Sequence, residues 1–213
     1  MSPFHTLVDH NVSVHRAIAT LFRTVRARAA EGIAPHILQE GVRAAVTVLR
    51  GHHAYEEEVL LPELRSRGAS GPWDRVSDEH ATVAAHLDAL VSGDPLPHLD
   101  ALCALLPEHF AIEDEALTEE FWRGLFTEDE ARAFGQRVSR HNRDSLKPSA
   151  KLLPLLLYNL APDERGRFTD RMPRFLIEGL VPVAFRPAWR GLRPFMAHPP
   201  ARWTPAAFLR GRR

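Results

Sequence analysis

The stretch HAYEEEVLLP, residues 53–62, places a histidine four residues before a glutamate, and HFAIE, residues 109–113, repeats that spacing. On a helix, residues at i and i+4 lie one turn apart on the same face. An imidazole and a carboxylate in this arrangement can bind one metal ion or two neighbouring ions. The sequence therefore predicts metal-binding helices, provided that the fold brings the two pairs together.

The first 145 residues read as four helices separated by short breaks rich in glycine and proline. The predicted helices cover about residues 7–30, 35–66, 74–92 and 98–123. The second has the clearest pattern, because its inward positions recur every three or four residues from Leu38 to Leu64. Short connections make successive helices antiparallel neighbours, so we expect an all-α, up-down-up-down four-helix bundle.

One histidine on each predicted stripe lies at the same distance from the connecting turns. The midpoint of His15 and His53 is position 34, and that of His53 and His80 lies between 66 and 67. The midpoint of His80 and His109 lies between 94 and 95, so all three midpoints fall in or beside turns. A buried polar group without a partner costs ~1–3 kcal/mol, which favours a metal at this level of the core. The predicted metal ligands are His15, His53, Glu57, His80, His109 and Glu113.

Other histidines and acidic residues fit this pattern less well. His10 is the rival to His15, but the apolar offsets that surround His80 recur around His15 and not around His10. His52 and Glu56 have the same i, i+4 spacing, yet His52 lies about 100° from the apolar stripe. We expect a solvated acidic rim around the site, formed by Glu56, Glu58, Asp114 and Glu115.

The arrangement resembles the hemerythrin-like, or HHE cation-binding, family. The resemblance covers roughly residues 8–124 and rests on the predicted ligand series, together with Glu79 before His80 and the Leu-Leu-Pro of residues 60–62. It implies a four-helix bundle that holds a non-haem di-iron centre with an oxo or hydroxo bridge. In that family pattern, Glu57 and Glu113 would bridge the irons, with two histidines terminal on each.

One difference from the family pattern bears on function. Oxygen-carrying members have a second histidine four residues after the one that corresponds to His80, where this sequence has Ala84. The difference counts against a dedicated oxygen carrier. The resemblance then implies a protein that binds or turns over O2, peroxide or NO, in sensing or detoxification.

Two alternatives stay open at this level. The first is a di-iron oxidase or oxygenase acting on a small organic substrate, with residues 146–213 helping to form its pocket. The second is a non-redox bundle that binds zinc or manganese, because these metals also accept imidazole and carboxylate ligands. Whether the protein is an enzyme, by peroxide disproportionation or by oxidation, is therefore left open.

The composition argues against several other classes. The 213 residues carry 27 basic and 27 acidic side chains, so the net charge does not indicate a nucleic-acid partner. The single cysteine, Cys103, excludes an internal disulfide framework and suits a reducing compartment. The first residues lack a signal-peptide pattern, and no apolar run approaches the ~18 residues of a membrane span. We therefore expect a cytoplasmic protein with no membrane span.

The sequence changes character after residue 145. A capping box from Thr127 to Glu130 predicts a fifth helix that ends the first domain. Residues 152–160 and 164–180 are candidates for two further helices. Residues 179–213 contain seven arginines and no acidic residue. We expect the extension, residues 146–213, to pack on the bundle or on a neighbouring subunit, and the latter arrangement would form a homodimer.

Overall fold

A computed structural model of the chain describes residues 2–145, 152–169 and 190–199. All regular elements in these ranges are helical, which confirms the predicted all-α class there. The elements are α1 (Pro3–Ala30), α2 (Pro35–Tyr55), a π-helical segment (Glu56–Leu60), α3 (Leu61–Ser66), α4 (Trp73–Ser92), α5 (Pro95–Ala116), α6 (Glu119–Leu125), α7 (Glu128–Ser145), α8 (Leu152–Leu157), α9 (Pro162–Thr169) and a 3₁₀ segment (Arg190–Phe195). None of these described helices has the length and apolar character to cross a membrane.

The breaks between the long helices lie where glycine and proline predict them. Gly32 follows α1 with a φ of 72°, and Gly68 follows α3 with a φ of 66°, a conformation that favours glycine. α2 begins at Pro35, where the missing N–H has no helical partner to lose. The side chain of Asp94 accepts a hydrogen bond from the N–H of Leu96 and caps α5.

The four long helices share an apolar core. α1 packs against α2 and α5, and α4 packs against the same two helices. Each long helix contributes completely buried side chains to this core, among them Ile18, Leu49, Val83 and Leu102. Burying a side chain of this size contributes about 1.5–3 kcal/mol. The core therefore holds the four helices together around one central region.

Between α2 and α3 the helix widens into a π turn. Pro62 has no N–H, and in an α-helix its ring would collide with the carbonyl group four residues earlier. The π-helical segment Glu56–Leu60 precedes it, and the N–H of Leu61 bonds to the carbonyl of Glu56. The sequence prediction treated residues 35–66 as one uninterrupted α-helix, so the π turn is a local correction. Such turns often accompany functional sites.

α6 and α7 close one end of the bundle. The predicted fourth helix divides at residue 117, and the hydroxyl of Thr118 accepts a hydrogen bond from the N–H of Phe121 to cap α6. The predicted capping box is confirmed, because the N–H of Thr127 donates to the Glu130 carboxylate at 2.8 Å. In return, the N–H of Glu130 donates to the Thr127 hydroxyl at 3.3 Å. A second apolar cluster fills the space beneath these two helices.

The described parts of the C-terminal extension pack on the bundle. α8 and α9 contact α1, while the 3₁₀ segment contacts α1 and α2. The ring of Phe195 is fully buried against Gly41 of α2. The buried amide of Asn159 donates to the carbonyl of Phe195 at 2.9 Å and ties the 3₁₀ segment to the end of α8. Most of the predicted last helix and of the arginine-rich tail lies outside the described residues, and the domain division after residue 145 stays a prediction.

Candidate metal centre

Five histidines and two glutamates meet in the centre of the bundle, and we call them the His/Glu cluster. They are His15 on α1, His52 and His53 on α2, Glu56 in the π-helical segment, His80 on α4, and His109 and Glu113 on α5. All seven are at most 8% exposed. Their imidazole nitrogens and carboxylate oxygens form two groups that could each hold a metal ion, with the atoms of a group within 4.8 Å of one another. One group is His53, His80 and His109, and the other is His15, His52, Glu56 and Glu113.

Both carboxylates of the cluster face the two groups at once. Oε1 of Glu56 lies 3.2 Å from Nε2 of His52, while Oε2 lies 3.3 Å from Nε2 of His80. In the same way, Oε2 of Glu113 lies 3.3 Å from Nε2 of His15, and Oε1 lies 3.8 Å from Nε2 of His80. Each glutamate thus directs one oxygen toward each group, as a bridging carboxylate would.

The inward-facing atoms of the cluster lack hydrogen-bond partners in the described part of the chain. These atoms are Nε2 of all five histidines, both carboxylate oxygens of Glu56 and Oε2 of Glu113. Each buried polar atom without a partner costs ~1–3 kcal/mol, so such a concentration at one place favours a compensating ligand. A transition-metal ion accepts lone pairs from imidazole and carboxylate alike. The donor set therefore fits bound metal.

Three of the histidines are hydrogen-bonded to carboxylates through Nδ1, the ring nitrogen that faces away from the centre of the cluster. Nδ1 of His15 lies 2.8 Å from Oδ1 of Asp114. Nδ1 of His80 lies 2.7 Å from Oε1 of Glu57, and Nδ1 of His109 lies 2.9 Å from Oε2 of Glu79. A histidine that donates through Nδ1 presents the lone pair of Nε2 inward, which is the usual orientation of a metal-bound imidazole. Asp114 of the predicted rim has this supporting role, whereas Glu58 and Glu115 are exposed as expected.

Two imidazoles of the cluster favour the protonated form when no metal is bound. Burial alone would lower the pKa of His15, but its hydrogen bond to Asp114 and the nearby carboxylates of Glu56 and Glu113 outweigh burial and raise that pKa to about 10. Burial also opposes the charged form of His80, yet the carboxylates of Glu113 and Glu56 that face its ring raise the pKa to about 10. A bound metal would have to displace these protons.

Four other groups of the cluster also have shifted pKa values: those of His52, His53 and Glu56 are lowered, and that of Glu113 is raised. Burial lowers the pKa of His52 to about 3 and holds that of His53 well below its usual value. Burial would raise the pKa of Glu56, but the surrounding imidazoles, His52 foremost, keep it well below its usual range. Burial and the charge of Glu56 raise the pKa of Glu113 to about 7. Without metal, the centre therefore combines neutral imidazoles of His52 and His53 with an ionised carboxylate of Glu56.

The structure brings together five of the six predicted site residues, namely His15, His53, His80, His109 and Glu113. Glu57 is the predicted site residue that the structure does not bring into either group. This side chain is 37% exposed and accepts hydrogen bonds from Ser77 and from Nδ1 of His80, outside both groups. Glu56 occupies the inner position and is completely buried, although it was predicted to lie in the rim. The reason is that Glu56 follows His52 by one turn and shares its inward direction.

Sequence reasoning missed His52 because it assumed a single narrow inward stripe on α2. The ring of His53 stacks on His80 of α4 with 4.0 Å between centroids, and the ring of His52 meets His15 of α1 at 4.8 Å. A helix with a neighbour on each side buries a wide face, so adjacent residues can both point inward. The signal available in the sequence was the pair His52 and Glu56, which has the same i, i+4 spacing as His53 and Glu57. His10 lies outside the cluster, and His15 lies within it.

In the described residues, helices bring buried imidazoles and carboxylates together in an arrangement that could hold metal. Residues 6–97 match the family model of the hemerythrin HHE cation binding domain. The match confirms the resemblance inferred from the sequence, and it contains the cluster residues of α1, α2, the π-helical segment and α4. His109 and Glu113 lie on α5, beyond the matched region. Neither the curated proteins nor the solved structures include a significant match.

Proposed function

We propose that this chain is a hemerythrin-like di-iron protein that binds or turns over O2, hydrogen peroxide or NO, in sensing or detoxification. The observation that carries the proposal is the pair of glutamates, Glu56 and Glu113, each directing its two oxygens to different groups of imidazoles. A single transition-metal ion takes about four to six ligands. Seven ligand residues in two groups therefore suit two ions better than one.

Two further inferences belong to this proposal. The resemblance to the hemerythrin-like family favours iron over zinc or manganese, which the same ligand types would also accept. The short connections and pairwise contacts of α1, α2, α4 and α5 support the up-down-up-down arrangement expected for that family. A cytoplasmic location and a homodimer formed through residues 146–213 stay predictions.

The residues of the chain would position and shield the bound metal. Two iron ions held by the cluster would supply the electron-transfer chemistry. Asp114, Glu57 and Glu79 fix the orientation of three ligand imidazoles through their Nδ1 atoms. The ring of Phe110 stacks on His15 with 4.3 Å between centroids and keeps that side of the site apolar. Buried, apolar surroundings of this kind strengthen the electrostatic interactions within a site.

Peroxide disproportionation is the most direct activity to assay. One H2O2 molecule loses two electrons and two protons and leaves as O2. A second H2O2 molecule takes up those two electrons and two protons and leaves as two water molecules. We expect the iron-loaded protein to release O2 from peroxide and His109→Ala to lose this activity together with bound iron. His36→Ala is the matched control, because His36 is exposed and lies outside the cluster.

Metal analysis with an absorption spectrum of aerobically purified protein tests the di-iron site itself. The proposal predicts two iron ions per chain and ligand-to-metal absorption bands. A colourless, iron-free protein that binds zinc stoichiometrically would overturn it and favour the non-redox alternative.

An oxidase acting on an organic molecule would need an enclosed pocket walled in part by the extension. The cavity found beside the cluster is instead an open groove between α2 and α4, with no residue of the described extension in its lining.

A further inference from the structure

The groove between α2 and α4, which we call the α2–α4 groove, opens the cluster to solvent. It has a volume of about 340 Å³, room for several small molecules when one water occupies roughly 30 Å³. His53 and His80 belong to the cluster and also line this groove. They are 8% and 6% exposed, whereas His15, His109, Glu56 and Glu113 are at most 2% exposed. His52 is as exposed as His53 but does not line the groove.

The walls of the groove are two facing helical surfaces. On α2 and the π-helical segment, the lining residues are 50, 53, 54 and 57, and on α4 they are 77, 80, 81, 84 and 87. Both series follow the i, i+3, i+4, i+7 spacing of one helix face. Small side chains, Ala54, Ala81 and Ala84, occupy the middle of these walls. A large residue at position 84 would project into the space that leads to His80.

The charges around the groove do not favour anions. At the rim, the guanidinium of Arg50 is paired with Asp88, so α2 and α4 are linked there without a free positive charge from that arginine. Near the other end, the Glu57 carboxylate is partly exposed and accepts a hydrogen bond from Ser77 at 2.8 Å. A carboxylate in the wall repels approaching anions at close range. Small uncharged molecules meet no such barrier.

We propose that the α2–α4 groove is the opening through which uncharged small reactants, hydrogen peroxide in particular, reach the metal centre. The inference rests on the proposed function because it assumes a metal in the cluster. Ala84 is the residue that keeps the opening wide, and the Arg50–Asp88 pair keeps the rim free of net charge. The groove thereby selects by size and charge before the reactant meets the metal.

Blocking the groove with Ala84→Phe tests the route. Ala84 is exposed on α4, so the larger ring can be accommodated without disturbing the core. We expect iron content and the absorption spectrum to stay as in the wild-type protein, while the second-order rate constant for peroxide, measured by stopped flow, falls at least tenfold. Ala85→Phe is the matched control, because Ala85 is exposed on the same helix but does not line the groove, and its rate should not change.

Asp88→Asn tests the charge of the rim. The variant removes the ion pair between Asp88 and Arg50, so at low salt we expect azide, an anion, to bind the diferric protein several-fold faster, with the peroxide rate unchanged.

An unchanged peroxide rate in Ala84→Phe with full iron content would overturn the groove as the route and favour access beside His52. If Ala84→Phe loses iron, Ala84→Val applies the same test with a smaller side chain, and an unchanged rate there overturns the route equally.

The outcomes for the groove and for the proposed function are distinguishable. A wild-type protein that binds no iron contradicts the proposed function before any groove variant is made. A wild-type protein that binds iron but does not consume peroxide still reports the route, because azide binding to the diferric form can be timed in Ala84→Phe and Ala85→Phe. Equal azide rates in these two variants would then overturn the groove alone.

Discussion

Nδ1 of His80 lies 2.7 Å from Oε1 of Glu57, and Nε2 of the same ring lies 3.3 Å from Oε2 of Glu56. Two consecutive glutamates therefore face opposite edges of one imidazole. Glu56 does so from inside the cluster, where it also faces His52, and Glu57 does so from the partly exposed α2–α4 groove. Although Glu56 and Glu57 are adjacent in the sequence, they have different structural roles.

The two glutamates should respond differently to substitution. We expect Glu56→Ala to reduce metal stoichiometry from two ions per chain to one or fewer, because a bridging ligand is lost. Glu57→Ala should keep two ions but weaken their binding by about 10–100-fold, the usual effect of removing a partner that orients a ligand histidine. Titration with a competing chelator measures both quantities. Loss of stoichiometry in Glu57→Ala with retention in Glu56→Ala would restore the ligand assignment made from sequence.

The sequence was sufficient for the parts of the site that depend on regular helices. His15, His80 and His109 each lie on a single apolar stripe, and the turn midpoints put them at one level of the bundle. The residues of α2 were harder to assign, because His52 and His53 face different neighbouring helices and Pro62 follows a π turn. Spacing on one ideal helix cannot show which side of that helix has a second neighbour.

Helix α1 offers a direct test of register. His15 lies in the cluster with Nε2 directed inward, whereas His10 lies outside it. We therefore expect His15→Ala to lower iron content strongly and His10→Ala to leave it unchanged, as measured by metal analysis of both purified variants. Because both substitutions remove one imidazole from the same helix, each serves as the control for the other. The reverse result would mean that α1 is rotated relative to the other helices.

Metal binding should strengthen as the pH rises. The pKa values of His15 and His80 are about 10 in the metal-free fold, above the ordinary value of 6.5. Their protonation therefore stabilises the metal-free fold fully below about pH 6.5, and that stabilisation is lost as the pH rises toward 10. Because metal displaces these protons, its affinity should increase across the same window.

Zinc titrations at pH 6.5 and 8.5 measure this dependence without redox chemistry. For each displaced proton, the affinity should rise by up to about tenfold per pH unit. Asp114→Asn removes the carboxylate that helps to raise the pKa of His15, so its affinity should depend less steeply on pH. An affinity that stays constant between the two pH values would show that both imidazoles are already neutral without metal.

The packing of the C-terminal extension can be tested with two glycines of α2. Replacing a helical glycine by alanine ordinarily stabilises a protein by about 0.4–1 kcal/mol, and Gly51→Ala should do so because no atom lies within 4 Å of its new Cβ. At Gly41 the Cβ would collide with the ring of Phe195, so Gly41→Ala should destabilise by about 1–3 kcal/mol. Urea denaturation of the full chain measures both changes. In a Phe195→Ala background the collision disappears and Gly41→Ala should become neutral or stabilising, whereas an unchanged penalty would show that the 3₁₀ segment does not pack there in solution.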